Sequence, residues 1–442
     1  MPIFLALLLA ACTEPVGLTV LPDRADTDTP ADAEPDTDPT RDTAVEIIDP
    51  ADEPEPPVVT EEAGGDQDAS DLAGWLFGLD SIHEVEITIS ADSEAALAEA
   101  PYDWAPADVS IDGEALAQIG VRLRGKIGSF RTLAGKPKFK LSFGEYVDGQ
   151  RFYGLEELSL NNAVVDCSYM KEVMGYHAYG LAGVPTLRAS YAQVSVNGAP
   201  YGLYVLVETP SDKWLDRTFE NPDGNLYDGK YVYTTYDGGG YSYTLLDFAD
   251  GLDDQFQLEE GTDVGNADIA AVSATLSANR GQPSFYGSMG TVWDWDNYHR
   301  LTAVDQFIGH NDGYSMNTNN YRVYFDPTDG KGNLLPWDLD YSFLYDYEWG
   351  LSWSNASGNI TNACFRDETC FGRHRTAMSN FLDTWDAEAW EDLFDQVEAL
   401  TYEATQADPR RECAASSVQP TRDYMRGWLR GKSGALRGWY EL

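Results

Sequence analysis

His310-Asn311-Asp312-Gly313-Tyr314-Ser315-Met316-Asn317 sets an imidazole, a carboxylate and an amide in the order H-x-D-x-x-x-x-N. The stretch before it, from about Asp296 to Gly309, has helical periodicity, and Gly309 and Asn311 suit the backbone that ends a helix. After it, Tyr321 to Phe325 and Asn333 to Trp337 read as strands around a turn at Asp326 to Gly332. These strands lead to Trp337-Asp338-Leu339-Asp340. A helix, a polar loop and a hairpin thus gather Asp312, Asn317, Asp338 and Asp340 into one short region of sequence. Carboxylates accept protons, and oxygen-only ligands suit Mg²⁺ or Ca²⁺. The plainer reading of the same residues is a capped helix end followed by a polar loop and a turn-capping or Ca²⁺-binding Asp pair. Asp294-Trp295-Asp296 is read as an N-cap of the long helix, not as a site.

Upstream, Val85 to Ser90 alternates as a strand and Ser93 to Ala100 has a short helical pattern. Asp112-Gly113 and Asn197-Gly198 are hairpin turns, the second between Tyr191–Val196 and Tyr201–Val207. Ile119 to Arg124 and Phe139 to Phe143 are further strands, and Asp166 to Leu181 reads as a helix capped by Asp166 or Ser168. Residues 212–220 form a short helix, 221–290 read as irregular Gly- and Tyr-rich loops, and the end is helical over Phe381 to Glu403 and Pro420 to Tyr440. The chain carries 29 Lys+Arg against 74 Asp+Glu, a net charge of -45. Such a charge repels nucleic acid at long range, so no nucleic-acid partner is expected. Against that background Arg122, Arg124, Lys126, Arg131, Lys136, Lys138 and Lys140 form a local basic cluster. Alternation puts Lys138 and Lys140 on one face of a strand. The cluster points to an anion site, or more plainly to two solvated lysines on an amphipathic strand.

Several stretches form an ordered series along the chain. They are Asp112-Gly113 with Gly120 to Gly125, Lys136 to Lys140, and Leu158-Ser159-Leu160-Asn161-Asn162 with Asp166 and Lys171-Glu172. Val196-Asn197-Gly198 with Tyr201 to Tyr204 and Val207-Glu208, then Asn311-Asp312 with Asn317 to Tyr324, and finally Pro336 to Asp340 complete the series. Together, in that order, they resemble the CotH family of spore-coat-type protein kinases over about residues 82–345. The resemblance implies an α+β, two-lobed atypical protein-kinase-like fold with an antiparallel N-terminal sheet and a largely helical C-terminal part. The implied activity is transfer of the ATP γ-phosphate to Ser or Thr of an envelope or surface protein, with Mg²⁺ (or Mn²⁺ or Ca²⁺). A non-catalytic, surface-anchored assembly module that keeps the fold is the alternative.

By that resemblance the H-x-D-x-x-x-x-N stretch corresponds to a kinase catalytic loop with Asn311 in place of the usual Arg. Asp312 would accept the substrate hydroxyl proton. Asn317 would bind metal, and Asn320 would serve equally. Asp338 and Asp340 stand where a kinase places its metal-binding Asp, without the usual Phe-Gly. They are expected on opposite faces of a continuing strand, with Asp338 the primary ligand and Asp340 its rival or a second ligand. Lys138 or Lys140 would hold phosphates and pair with Glu172 on the following helix. Arg124 would stand beside a glycine loop (Gly125 to Ser129), and Glu208 near the adenine. Among other chemistries, H-E-x-x-H and G-x-S-x-G motifs are absent from the sequence, while a carboxylate-pair glycosidase stays open.

The first residues give the compartment. Ile3 to Ala11 has the length of a signal-peptide core and ends Leu9-Ala10-Ala11-Cys12, which resembles a lipoprotein processing site. Residues 1–12 are therefore expected to be a lipoprotein signal peptide, with Cys12 the lipidated residue and the membrane partner. Thr13 in the next position favours the outer membrane or cell surface. Residues 13–71, rich in Pro, Asp, Glu, Thr and Ala, are expected to form a disordered acidic tether. The folded domain is expected over 72–442, with a helical extension at 351–442. Export implies disulfides. Cys364 with Cys370 is the favoured pair, which leaves Cys167 with Cys413; four buried thiols are the other reading.

Overall fold

The computed structural model describes residues 71–126, 128–229, 231–236, 241–344 and 356–442. The expectations for Cys12, the signal peptide and nearly all of the tether lie outside the described residues.

Seven strands close into a barrel: β1 (His83–Ile89), β2 (Ala105–Ile111), β3 (Glu114–Arg124), β4 (Lys138–Ser142), β5 (Glu157–Asn161), β6 (Ala189–Val196) and β7 (Ala199–Glu208). The order is β1-β2-β3-β4-β5-β7-β6. β1 alternates strictly between buried and exposed positions, so its inner face must meet a core. Val85, Ile87, Val109, Val121, Leu141, Leu158, Val194 and Leu206 fill that core. Burying each such side chain contributes roughly 1.5–3 kcal/mol. The sheet was expected to be antiparallel, and it departs at one seam, where β6 pairs with β1 in parallel, Val194 opposite Val85. Both hairpin turns secure β1. The Asp112 carboxylate accepts from Glu84 N at 2.7 Å and from His83 Nδ1 at 2.7 Å. Asn197 Oδ1 accepts from Ile89 N at 2.9 Å. Asp112 and Asn197 have φ of 51° and 51°, as a type I′ turn demands.

Helix α1 (Ala91–Glu99) is capped by Ser90, whose side chain accepts from Ser93 N. Helix α2 (Lys171–Leu181) starts five residues after Asp166, later than the sequence pattern implies. Tyr169 has φ 61° and interrupts the helical path, while Asp166 Oδ2 accepts from Lys171 N at 3.0 Å and so fixes the start. Helix α3 (Asp212–Thr218) follows the barrel. Residues 221–290 are not simply irregular loops. They contain β8 (Asn225–Gly229), β9 (Tyr231–Tyr236), β10 (Tyr241–Leu245), β11 (Gln257–Glu260), α4 (Ala267–Asn279) and α5 (Phe285–Met289). Ile269, Val272 and Leu276 give α4 a buried stripe, which its Ala- and Ser-rich surroundings hide in the sequence.

Helix α6 (Trp295–Ile308) is capped by Asp294 and ends on Gly309 at φ 62°. Both ends follow the sequence reading. A short α7 (Tyr314–Asn317) lies inside the polar loop. Strands β12 (Tyr321–Asp326) and β13 (Lys331–Pro336) join β11 and β8 in a sheet ordered β11-β8-β12-β13. Beyond residue 356 come α8 (Asn359–Cys364), α9 (Glu368–Ala387), α10 (Trp390–Ala407) and α11 (Ala415–Tyr440). The expected helix over Phe381 to Glu403 is thus two helices broken near Glu388, and α11 runs through Pro420. Cys364 and Cys370 form the expected disulfide. Closing so short a loop stabilises by about 2 kcal/mol in the chain-entropy view. Cys167 and Cys413 are free thiols, although the two hydrogen-bond each other.

The segment after α10 reaches back to the barrel. Lys136 is buried and donates to Asp408 Oδ2 at 2.6 Å, Leu203 O at 2.7 Å and Tyr169 Oη at 3.3 Å. Gly202 permits this approach, since a Cβ there would lie 2.0 Å from Asp408 Oδ1. Arg410 stacks on Tyr201 at 3.4 Å and donates to the Leu133 carbonyl, and Arg131 pairs with Glu412.

Candidate active site

Strands β3 and β4 set Arg122 opposite Lys140 and Arg124 opposite Lys138. Like charges facing one another across a ladder are destabilising, so carboxylates from elsewhere must answer them. Lys140 Nζ meets Glu157 Oε2 at 2.5 Å. Lys138, 1% exposed, donates to Asp338 Oδ1 and Oδ2 at 3.0 and 2.9 Å and to Asp340 Oδ2 at 2.9 Å. Arg124 donates to Ser159 Oγ at 2.9 Å and lies 5.0 Å over the Trp337 ring. Arg322 covers the same ring at 4.7 Å. Arg122, Arg124, Lys140, Arg322, Trp337 and the two aspartates, with Asp228, Glu259 and the Gly125 loop, wall a cavity of about 310 Å³, and Lys138 is not itself part of the lining.

The expected opposition of Asp338 and Asp340 does not occur. The strand ends at Pro336, Asp338 takes φ 46°, and Leu339–Tyr341 is a single 3-10 turn. The chain therefore folds both carboxylates onto one ammonium. Left-handed backbone costs about 1–2 kcal/mol per residue, least for Asp and Asn, and here the double ion pair holds it. Burial pushes the Asp338 carboxyl up, but Lys138 and then Arg124 outweigh it and hold it below the ordinary range. Asp340 is pushed up to about 6 by burial and by Asp338.

Asp312 faces the same cavity. Its Oδ1 accepts from Asn317 Nδ2 at 2.5 Å, and its Oδ2 from Asn319 at 3.1 Å and Asn320 at 3.0 Å. Asn320 Nδ2 also donates to the Asp338 carbonyl at 3.2 Å, tying the loop to the Asp-Leu-Asp turn. Burial raises the Asp312 carboxyl, with the Asp338 charge adding to it, while the Asn317 and Asn319 amides oppose the rise. His310 is buried against Gly313, where a Cβ would come within 2.5 Å of its ring. Burial lowers its imidazole to about 4, so it stays neutral and acts as packing for the loop.

Among the expected site residues, Asp312, Lys138, Lys140, Arg124, Asp338 and Asp340 come together, with Asn317 bonded to Asp312. Glu172 and Glu208 do not line the cavity. Glu172 is buried on α2 and accepts from Asn161 Nδ2 at 2.7 Å, so the Lys138 protons go to the two aspartates and not to it. Glu208 is held by Arg188 at 2.8 Å and Arg217 at 2.6 Å and does not line the cavity. Arg322, Trp337 and Glu259 complete the walls. A lone Arg inside the apolar run Tyr321-Arg322-Val323-Tyr324-Phe325 was the available signal for the first of them.

Burial, then Asp338, raises Glu172 to about 8. A carboxyl raised in the folded state takes up a proton on folding. Its contribution is therefore fully present below the ordinary value of 4.5 and is lost as pH rises through about 8. Glu172→Gln keeps an acceptor for Asn161 and removes that loss. Its stability should match the parent at low pH and exceed it increasingly toward alkaline pH, by at most a few kcal/mol. Urea midpoints at three pH values check this, and a difference independent of pH would refute it.

The carboxylates of Asp338 and Asp340 offer hard oxygen donors that suit a divalent cation, and Lys138 marks where positive charge is wanted, whereas Asn317 is bonded to Asp312 and does not line the cavity. Among the described residues another compact ligand group is His299 with Cys364 and Cys370, whose sulfurs are bonded to each other.

A family profile described as "CotH kinase protein" matches residues 121–397. The inner spore coat protein H of Bacillus subtilis (strain 168) is 25% identical over 218 residues, 49% of this chain and 55% of that protein. The chain thus spans about half the length of that curated relative. The HipA–HipB–operator DNA complex of Shewanella oneidensis MR-1 aligns at TM-score 0.33 and 10% identity, over 81% of this chain and 74% of that one. The proinflammatory kinase CtkA of Helicobacter pylori aligns at TM-score 0.27 and 9% identity, over 67% and 90%. Likenesses that low carry no inference. The profile match is different: it takes in more than half of the 442 residues and holds Asp312, Lys138, Asp338 and Asp340, so the chain belongs to the CotH kinase protein family.

Proposed function

We propose that this chain is a protein kinase of two-lobed, kinase-like build that moves the γ-phosphoryl group of ATP to a Ser or Thr hydroxyl of an envelope or surface protein. The observation that carries the reading is the meeting of Asp312, Asp338 and Asp340 at one cavity wall, with Lys138 donating to both of the last two. Phosphoryl transfer needs positioning and charge neutralisation more than covalent chemistry. The substrate oxygen bonds to the γ-phosphorus, the bond from that phosphorus to the β–γ bridging oxygen breaks, ADP leaves, and the hydroxyl proton passes to the Asp312 carboxylate. Asn317, Asn319 and Asn320 fix the orientation of that carboxylate. Arg124, Lys140 and Arg322 line the cavity and answer phosphate charge. Asp338 and Asp340, with Asn320, would hold Mg²⁺ or a similar ion, which supplies further neutralisation of the phosphates.

The test is transfer of radiolabel from ATP by the purified chain, beside calorimetry with ATP and Mg²⁺. Binding without transfer to any envelope protein, or no binding at all, would leave the second reading, a non-catalytic assembly module. One observation favours that reading: the Lys138 ammonium already occupies the place between Asp338 and Asp340.

We also propose that the domain is exported and held by a lipid on Cys12. A disulfide between Cys364 and Cys370 supports an oxidising compartment. In a diderm host, Cys12→Ser should move the protein from the membrane fraction to the soluble fraction. Unchanged membrane retention would dismiss the anchor.

A further inference from the structure

A second cavity, of about 250 Å³, lies between α6 and α9 beside the end of α2 and shares no lining residue with the first. Helix α6 contributes His299, Arg300 and Asp296, and α9 contributes Arg373, Thr376 and Asn380. In a chain of net charge -45, many arginines take a carboxylate, and others such as Arg410, Arg411 and Arg422 donate to backbone carbonyls. Arg188 and Arg217 share Glu208, Arg426 takes Asp395 and Glu398, and Arg437 takes Asp383 and Asp386. The guanidinium groups of Arg300 and Arg373 have no ion pair or hydrogen bond among the described residues, although Asp296 lines the same cavity one helical turn before Arg300.

A second observation is independent of charge counting. His299 is 3% exposed, yet its Nδ1 has no hydrogen-bond partner among the described residues, and neither has the buried Nε of Arg300. Buried donors and acceptors are nearly always satisfied by protein, water or ligand, so a group of them at one cavity offers a place for a polar ligand. Burial and then Arg373 lower the imidazole of His299 to about 4, so the cavity's positive charge comes from the two arginines.

We propose that this cavity binds a phosphomonoester group through Arg300 and Arg373, with His299, Thr376 and Asn380 as neutral partners. Two guanidiniums match the charge of a phosphomonoester near neutral pH, and their forked donors suit its three terminal oxygens. The Asp296 carboxylate disfavours a ligand with a second anionic arm. The volume admits the head group and a short stem, below the usual size of a nucleotide pocket. The group would come from a phosphorylated side chain of a polypeptide or from a free phosphate compound. The inference stands apart from the reaction proposed above.

Calorimetry on the full chain at constant ionic strength tests it, with a short phosphoserine peptide, the same peptide unphosphorylated, and inorganic phosphate as probes. The phosphopeptide or phosphate is expected to bind. Its Kd should rise about tenfold or more in Arg373→Gln and Arg300→Gln and stay unchanged in Arg430→Gln, a residue that lines neither cavity. Tighter binding of the phosphopeptide identifies a polypeptide source, and equal binding of inorganic phosphate a free one. Arg373 is exposed, so its variant reports even where Arg300→Gln fails to fold. Binding of none of the probes overturns the proposal. So does binding that Arg124→Gln removes while Arg300→Gln and Arg373→Gln keep it, because the anion then sits in the first cavity.

Discussion

Asp312→Ala should lower γ-phosphoryl transfer by about 10²–10⁴-fold, the range a positioned general base contributes. The carboxylate is held on both oxygens by three asparagine amides, an arrangement that fixes direction as well as charge. Its position is partly accessible, so water can satisfy the freed amides and the fold should survive, as a melting curve will show. Binding of ATP with Mg²⁺ should change little, because the loss falls on proton acceptance. Transfer equal to the parent would remove Asp312 from the role of base.

The second large effect concerns Lys138. Removing one partner of a buried ion pair costs about 3–5 kcal/mol, since the charges left behind have neither water nor counterion. Lys138→Met leaves Asp338 and Asp340 together, with Arg124 acting on Asp338 and Lys171 on Asp340 as remaining cations. In metal-free buffer the urea midpoint should fall by an amount of that order with an unchanged slope. Millimolar Mg²⁺ should then restore more stability to the variant than to the parent, because the cation enters the place the ammonium left. Phosphoryl transfer should be lost in both conditions. A variant as stable as the parent would mean that the aspartates do not rely on Lys138. A variant that is destabilised but indifferent to Mg²⁺ would take the metal role from Asp338 and Asp340.

Local signals carried the sequence reading a fair distance. Asn197-Gly198 and Asp112-Gly113 specify their hairpins because only certain residues tolerate left-handed backbone, and Gly309 ends α6 for the same reason. Cys364 and Cys370 pair because a short loop brings them together. What escaped is non-local. The parallel seam between β1 and β6 joins residues more than a hundred positions apart and leaves no trace in either strand. The faces of Asp338 and Asp340 were misjudged because period two ends where the backbone of a non-glycine residue turns left-handed, and the ion pair that holds that turn comes from β4. Glu172 was expected to answer Lys138, a pairing that presumes a charged Glu; burial instead favours its protonated form beside Asn161. The helix α4 and the sheet strands of residues 221–290 were hidden by composition, since Ala, Ser and Tyr mark neither a clear apolar stripe nor a turn.

The clasp between Lys136 and Asp408 bears on where the folding unit ends. The segment that matches the family begins inside β3 and stops inside α10. A fragment trimmed to those limits would lose β1 and β2, opening the barrel, and would strand the Lys136 ammonium in an apolar interior without its carboxylate. The inherited sequence signature and the smallest autonomously stable piece of this protein are therefore different lengths, and recombination at the signature's borders would yield chains that carry the chemistry but cannot hold their shape.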